Sequence, residues 1–484
     1  MEKEQFEHRL NINRRHFLSK AALGMGGVAL GSLLMPDLLK RKQQVSDELP
    51  LGLTHFAPKA KRIIFLMQNG APSQLETFDY KPKLEQMFGQ DLPESIRGGQ
   101  RLTGMTANQK NFPLVGSHFK FNRYGQNGTY VSELLPHIAS ITDDLCIVKS
   151  MHTEAINHDP ALTFLQTGSQ VGSRPSMGSW LSYGLGSENK NLPSFCVLLS
   201  KGRGNGQGVY SKLWSNGFLD STHQGVQLSA SEDPILYLNN PKGMDRTNRR
   251  KMLDHLSELN HMNYKEFGDP EIHAKIQQYE LAYRMQTAVP EVTDISKEPE
   301  SIKELYGSDC TIPGTYAANC LLARKLSESG VRFVQLYHQG WDQHNNLVGG
   351  IKGQSKDVDQ ASAALITDLK QRGLLDETLV IWGGEFGRTN YCQGKLTPKN
   401  YGRDHHPRCF SMFMAGGGIK AGTVYGKTDE LGYNVIENPV HIHDLHATIM
   451  YLMGLDHEKL TYKHLGRRFR LTDVAGHVVK DIIA

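Results

Sequence analysis

The amino-acid sequence predicts a doubly wound α/β fold with a mostly parallel central sheet, and three observations carry that prediction. Short apolar runs bounded by turn residues recur along the chain, helical patterns separate them, and polar segments rich in histidine and carboxylate follow them. The first run, at 61–68, reads Lys-Arg-Ile-Ile-Phe-Leu-Met-Gln and stops at Asn69-Gly70-Ala71-Pro72, the pattern of a buried parallel strand. Further strands are predicted at 145–148, 194–199, 332–337, 378–382 and 408–415, and helices at 176–185, 246–267, 270–285, 316–329, 354–373 and 443–453. The stretch 245–304 is charged and helical with few strand signals, and reads as a helical insertion over the sheet. Gly416-Gly417-Gly418 lacks the Gly-Lys-Ser/Thr of a phosphate loop and reads as a tight turn.

Composition agrees with one large domain over 43–484. The 484 residues are 39% hydrophobic and 21% charged, enough to bury a core, which excludes a disordered, collagen-like or multi-span membrane chain. Lys plus Arg is 54 and Asp plus Glu is 50, but eight of the bases and only four of the acids lie in the first 42 residues. The remaining body carries 46 of each and is neutral, which gives no reason to expect a nucleic-acid partner, since that would need a basic face.

That basic start is expected to be an export address. Arg14-Arg15 precede Phe17-Leu18, and an uncharged, glycine-rich stretch runs from Ala21 to Pro36, too short to span a bilayer comfortably. Segment 1–42 therefore reads as a twin-arginine signal and linker, which directs the chain through the twin-arginine translocase to the periplasm or cell envelope. No clear cleavage site follows, so an uncleaved signal would leave a membrane tether. The six cysteines form no Cys-x-x-Cys pair, which argues against a zinc knuckle or iron–sulfur cradle. Cys310 and Cys320 are close enough to pair, against the alternative of separate buried thiols.

In a doubly wound sheet, ligands sit outside the carboxyl ends of the strands. The polar residues found there are Asn69, Glu76 and Asp79; His152, Asn157, His158 and Asp159; His338, Asp342, His344 and Asn346; Glu385 and Arg388; and Arg403, Asp404, His405 and His406. Of 21 histidines, eight fall between His338 and His457. Imidazoles and carboxylates that return at successive strand ends suit a divalent metal ion, zinc, calcium or manganese, because both are ligands and separate loops can converge. His441, His443 and His446 open an amphipathic helix with Asp444 placed to cap it, so helix formation accounts for them as readily as ligation does.

The order of these pieces resembles a known family. Asn-Gly-Ala-Pro-Ser-Gln-Leu-Glu-Thr-Phe-Asp at 69–79, Gly-Trp-Asp-Gln-His at 340–344, Gly-Glu-Phe-Gly-Arg-Thr at 384–389, Gly-Arg-Asp-His-His at 402–406 and Val-His-Ile-His-Asp-Leu-His-Ala-Thr at 440–448 look like the bacterial proteins called domain of unknown function 1501. That family is in turn similar to the alkaline phosphatase and sulfatase superfamily. The resemblance implies an alkaline phosphatase-like, three-layer α/β/α sandwich with a metal-assisted hydrolytic site at the carboxyl edge of its sheet.

Carried over residue by residue, the superfamily pattern puts its nucleophile at position 158, ten residues before the glycine of Thr167-Gly168, where this chain has histidine. The first-strand aspartate falls at Asn69. The Asp-x-x-x-His motif is shortened to Asp342-x-His344, the late metal motif keeps Glu385 but has Phe386 where a second ligand belongs, and the last histidine ligand matches His405 or His406. The expected metal set is thus Asn69, Asp342, His344, Glu385, His405 and His406. His158 is expected as base, nucleophile or ligand, and Arg388 and Arg403 as steadying groups for an anion. The expected activity is hydrolysis of a phosphate or sulfate ester, including esters of glycans. Two alternatives stand beside it: a non-catalytic relative that binds sulfated or phosphorylated glycans, and a redox metalloprotein.

Overall fold

The computed structural model describes residues 53–204, 206–229, 234–235, 238–397 and 400–484; the expected export segment, 1–42, lies outside the described residues. Strand β1 (Arg62–Asn69) is buried from Ile63 onward, which is why its apolar run does not alternate with polar residues. Around it lie β2 (Leu145–His152), β3 (Phe195–Lys201), β4 (Val226–Leu228), β5 (Phe333–Gln339), β6 (Thr378–Gly383), β7 (Phe410–Ala415), β8 (Thr423–Tyr425) and β9 (Val440–His441). They form one nine-stranded sheet in the order β8-β2-β7-β6-β1-β5-β3-β4, with β9 paired to β2.

The strands at the centre are parallel: Asn69 is in register with Gln339, and Met67 with Gly383. β7 is the exception, running antiparallel to both β2 and β6. Its sequence is as apolar as that of its neighbours, because a strand covered on both faces needs the same residues in either direction.

The alternation of side chains along β1 makes the layers. Ile64 and Leu66 pack into one core with α5 (Tyr316–Glu328) and α6 (Leu347–Gln371), whose Leu321, Leu322, Val358, Leu365 and Leu369 are buried there. Ile63, Phe65 and Met67 pack into the other with α1 (His158–Thr167), α2 (Met177–Leu185) and α7 (Ile442–Leu452). The result is an α/β/α sandwich with a mostly parallel sheet, stabilised by burial worth about 25 cal/mol for each Å² of apolar surface removed from water.

Between these helices, α3 (Arg246–Phe267) and α4 (Pro270–Thr293) form a hairpin that turns at Gly268, whose φ of +66° suits glycine. Arg250 ties the two together through Glu280 at 2.5 Å. α6 begins seven residues before the expected 354, because Gly349, Gly350 and Gly353 hide its first turns from a propensity reading. α7 starts with a capping box in which the His441 ring accepts from the backbone N–H of His443 and the Asp444 carboxylate accepts from the backbone N–H of His441. All six cysteines, Cys310 and Cys320 included, are free and buried. No helix among the described residues is long and apolar enough to cross a membrane.

Candidate metal centre

Gly70, directly after β1, has φ +106°, and a Cβ there would lie 2.8 Å from the backbone nitrogen of Asp342. Only glycine lets the loops after β1 and β5 approach this closely. Two residues after Gly340, Asp342 reaches the carboxyl edge of the sheet; Glu385 reaches it two residues after β6 ends. His158, the first residue of α1, comes from the segment after β2, where Asn157 precedes the helix in an extended conformation. A two-residue antiparallel ladder, Gly387–Arg388 with His405–His406, sets His405 opposite Arg388.

These loops bring four ligand atoms together: one each from His158, Asp342, His344 and His405, all within 4.8 Å of one another. Oδ1 of Asp342 stands 3.1 Å from Nε2 of His158, 2.9 Å from Nε2 of His344 and 3.6 Å from Nε2 of His405. Nε2 of His344 and Nε2 of His405 are 3.0 Å apart. His158 Nε2 is buried without a hydrogen-bond partner, although the Asp342 oxygen is near. Contact without hydrogen-bond direction is what atoms aimed at one common point produce, so the residues present fit a bound cation.

Charge balance in the cluster has named causes. Burial would raise the Asp342 pKa, but the close His158, His344 and His405 rings and the charge of Arg388 hold it well below the ordinary carboxylate range. Burial pushes His405 down to about 4, against the pull of Asp342 and with the help of Arg388 and the neighbouring rings. For His158 burial also opposes the charged form, yet Asp342 and Glu385 outweigh it and its pKa is raised.

The other expected site residues are placed differently. Glu385, fully buried, accepts from His158 Nδ1 at 2.5 Å and from the Gly70 N–H at 3.1 Å. Arg388 donates to Asp342 Oδ1 at 2.7 Å, to Ala71 O at 3.0 Å and to the carbonyls of Gly70, Trp341 and Arg403. Arg403 is spent on Glu76 at 2.6 Å and on the carbonyls of Thr389 and Val115. Asn69 donates to the Gln207 carbonyl at 3.2 Å. His406 is turned away, with Nε2 against Tyr433 O at 2.6 Å and Nδ1 against Gln100. The structure thus gathers His158, Asp342, His344 and His405, sets Glu385 and Arg388 against them, and leaves Arg403 and His406 outside the cluster.

Sequence reasoning missed two amides. Gln207 donates to Asp342 Oδ2 at 2.5 Å, and Gln393 accepts from His344 Nδ1 at 2.6 Å. The signal for the first was present, because the loop that follows β3 is punctuated by Gly202, Gly204, Gly206 and Gly208 and so can lie close to other backbone. Phe386 lines the cluster, its ring 4.9 Å from that of His158 and 4.6 Å from that of His405, and packs with Ala71, Ala155 and Ala161.

Comparison with solved structures gives partial likenesses. The PsFucS1 sulfatase from a Pseudoalteromonas species is 12% identical with a TM-score of 0.34, over 82% of this chain and 68% of that one. The alkaline phosphatase from the Antarctic bacterium TAB5 is 10% identical with a TM-score of 0.34, over 82% and 99%. A phosphonate monoester hydrolase from Silicibacter pomeroyi is 11% identical with a TM-score of 0.30, over 88% and 76%. No protein with curated annotation matches the chain in sequence. The family model described as protein of unknown function (DUF1501) matches residues 60–483, from the first strand through all the loops that build the cluster. The chain belongs to the DUF1501 family.

Proposed function

We propose that this protein is an exported, metal-dependent hydrolase of phosphate or sulfate esters, including those of glycans, which works in the periplasm or cell envelope. The observation that carries the reading is the convergence of three imidazole nitrogens on one carboxylate oxygen at the edge of the sheet. His158, Asp342, His344 and His405 would hold a divalent ion. Such an ion, when bound, polarises an ester oxygen or lowers the pKa of water.

The chain's own residues do the rest. Arg388 fixes Asp342 while its remaining donors are held by loop carbonyls, so it positions the carboxylate rather than clamping a substrate. Phe386 covers one side of the rings and keeps water from that face, which strengthens electrostatic interactions inside. His158 occupies the nucleophile position of the superfamily pattern, and with both ring nitrogens facing carboxylates it serves as a ligand in this reading. Passage through the twin-arginine translocase, and a membrane tether if the signal is retained, rest on residues 14–36.

Two observations favour a second reading, a non-catalytic relative that binds sulfated or phosphorylated glycans: position 158 carries no hydroxyl, and Phe386 stands where the superfamily pattern has a second ligand. Purified full-length protein, loaded with metal and assayed on aryl phosphates, aryl sulfates and sulfated oligosaccharides, decides between the two. Turnover that disappears in Asp342→Asn supports the hydrolase; glycan binding without turnover supports the second reading.

A further inference from the structure

The outer nitrogen of each ring in the cluster has its own acceptor. His158 Nδ1 faces Glu385 Oε1 at 2.5 Å, His344 Nδ1 faces Gln393 Oε1 at 2.6 Å, and His405 Nδ1 faces the Ile156 carbonyl at 2.7 Å. A carboxylate and a backbone carbonyl only accept, so in His158 and His405 the Nδ1 atom carries the hydrogen. In the neutral ring that leaves the Nε2 lone pair inward, and in His344 the Gln393 oxygen sets the same tautomer. Three nitrogen lone pairs and a carboxylate oxygen then face one another with Nε2 atoms as close as 3.0 Å. Such a set is repulsive by itself and becomes stable around a cation.

We infer, resting on the ligand set proposed above, that this centre is built for one nitrogen-seeking divalent transition metal rather than for magnesium or calcium. We further infer that Glu385 acts across the His158 ring as a positioning residue and does not bind the metal. Magnesium and calcium take oxygen ligands almost exclusively, and this site offers one carboxylate against three imidazoles. Glu385 lies on the Nδ1 side of His158, whereas the ring's other nitrogen faces Asp342. Its carboxylate is also anchored by the Gly70 N–H and fully buried, so it holds one ring orientation where the β1 and β6 loops meet. A carboxylate behind a ligating imidazole fixes the tautomer and raises the ring's basicity.

The test uses full-length protein stripped with a chelator and titrated with cobalt(II), zinc(II), magnesium and calcium, read by calorimetry and by the visible spectrum of bound cobalt. The expected result is one cobalt or zinc ion per chain, held at least roughly 100-fold more tightly than magnesium or calcium. Glu385→Leu, which keeps the volume but removes the acceptor, is expected to weaken cobalt binding about 10- to 100-fold and to change its spectrum, while Glu385→Gln, which keeps an acceptor oxygen, restores both. Gln393→Leu tests the same principle behind His344 should the Glu385 variant fail to fold. Equal or tighter binding of magnesium or calcium overturns the metal class. Cobalt affinity and spectrum indifferent to Glu385→Leu, or to Gln393→Leu in its place, overturn the positioning role. None of these readings uses turnover, so a protein that binds one zinc ion but cleaves no ester ends the hydrolase reading and leaves this inference intact.

Discussion

Nε2 of His344 and Nε2 of His405 stand 3.0 Å apart although 61 residues separate them in the chain. In the ligand set proposed above, both nitrogens face one bound cation.

Metal removal should cost stability as well as activity. A ligand that binds only the folded state adds about 4 kcal/mol at a concentration 1,000 times its dissociation constant. Chelation is therefore expected to lower the melting temperature by several degrees, and His344→Ala to abolish both the metal response and any ester turnover. Scanning calorimetry with and without chelator checks this; a melting point indifferent to chelation contradicts it.

Gly70→Ala should damage the site from the backbone outward. The residue would have to keep φ near +106° with its Cβ 2.8 Å from the Asp342 nitrogen. Strain and clash together are expected to cost roughly 2–5 kcal/mol. Because the clash pushes on Asp342, metal affinity should fall with it, whereas Gly89→Ala, at a glycine with open space, should leave that affinity unchanged.

Glu76 and Arg403 form an ion pair with neither side chain exposed. Removing one partner leaves a buried charge uncompensated, and Glu76→Leu or Arg403→Met alone is expected to destabilise the fold by about 3–5 kcal/mol. The double variant Glu76→Leu with Arg403→Met should lose clearly less than the sum of the single losses. Denaturant midpoints for the four proteins measure the difference.

Acid should loosen the fold through histidines outside the metal cluster. Burial lowers His338 and His223 to about 4 and His446 to about 3, against 6.5 for the free side chain. The unfolded chain therefore takes up protons first, so their contribution is complete above about pH 6.5 and is lost progressively as pH falls toward 4. His338 is neutral between the Ser200 hydroxyl and the Gln354 amide oxygen, both at 3.0 Å. His338→Gln should flatten the decline of melting temperature between pH 6.5 and 4; an unchanged slope would exclude His338 as a contributor.

The strands were legible because apolar runs between turn residues leave few alternatives for a chain that must cover both faces of a sheet. The direction of β7 was not, since burial selects composition and is blind to polarity. Helix α6 lost its first turns to Gly349, Gly350 and Gly353. The strand-end rule reached Asp342, His344, His405 and His158 because imidazole and carboxylate advertise their chemistry. It overlooked Gln207 and Gln393, whose amides resemble those of any solvated loop until the fold turns them inward. For the arginines the difficulty was opposite: a guanidinium fork suits an anion or four carbonyls equally well, and only the packed structure shows that Arg388 and Arg403 are already occupied.

Six thiols sealed in the interior have a consequence for the chain's redox chemistry. Burial drives the Cys146 thiol up to about 12 and raises those of Cys196, Cys320 and Cys409 as well, so thiolate, the form that oxidises, is scarce. Nothing in the fold waits for a disulfide to close, and nothing in it is broken by a reductant. The packing of the core therefore depends neither on a thiol being oxidised nor on a disulfide being kept.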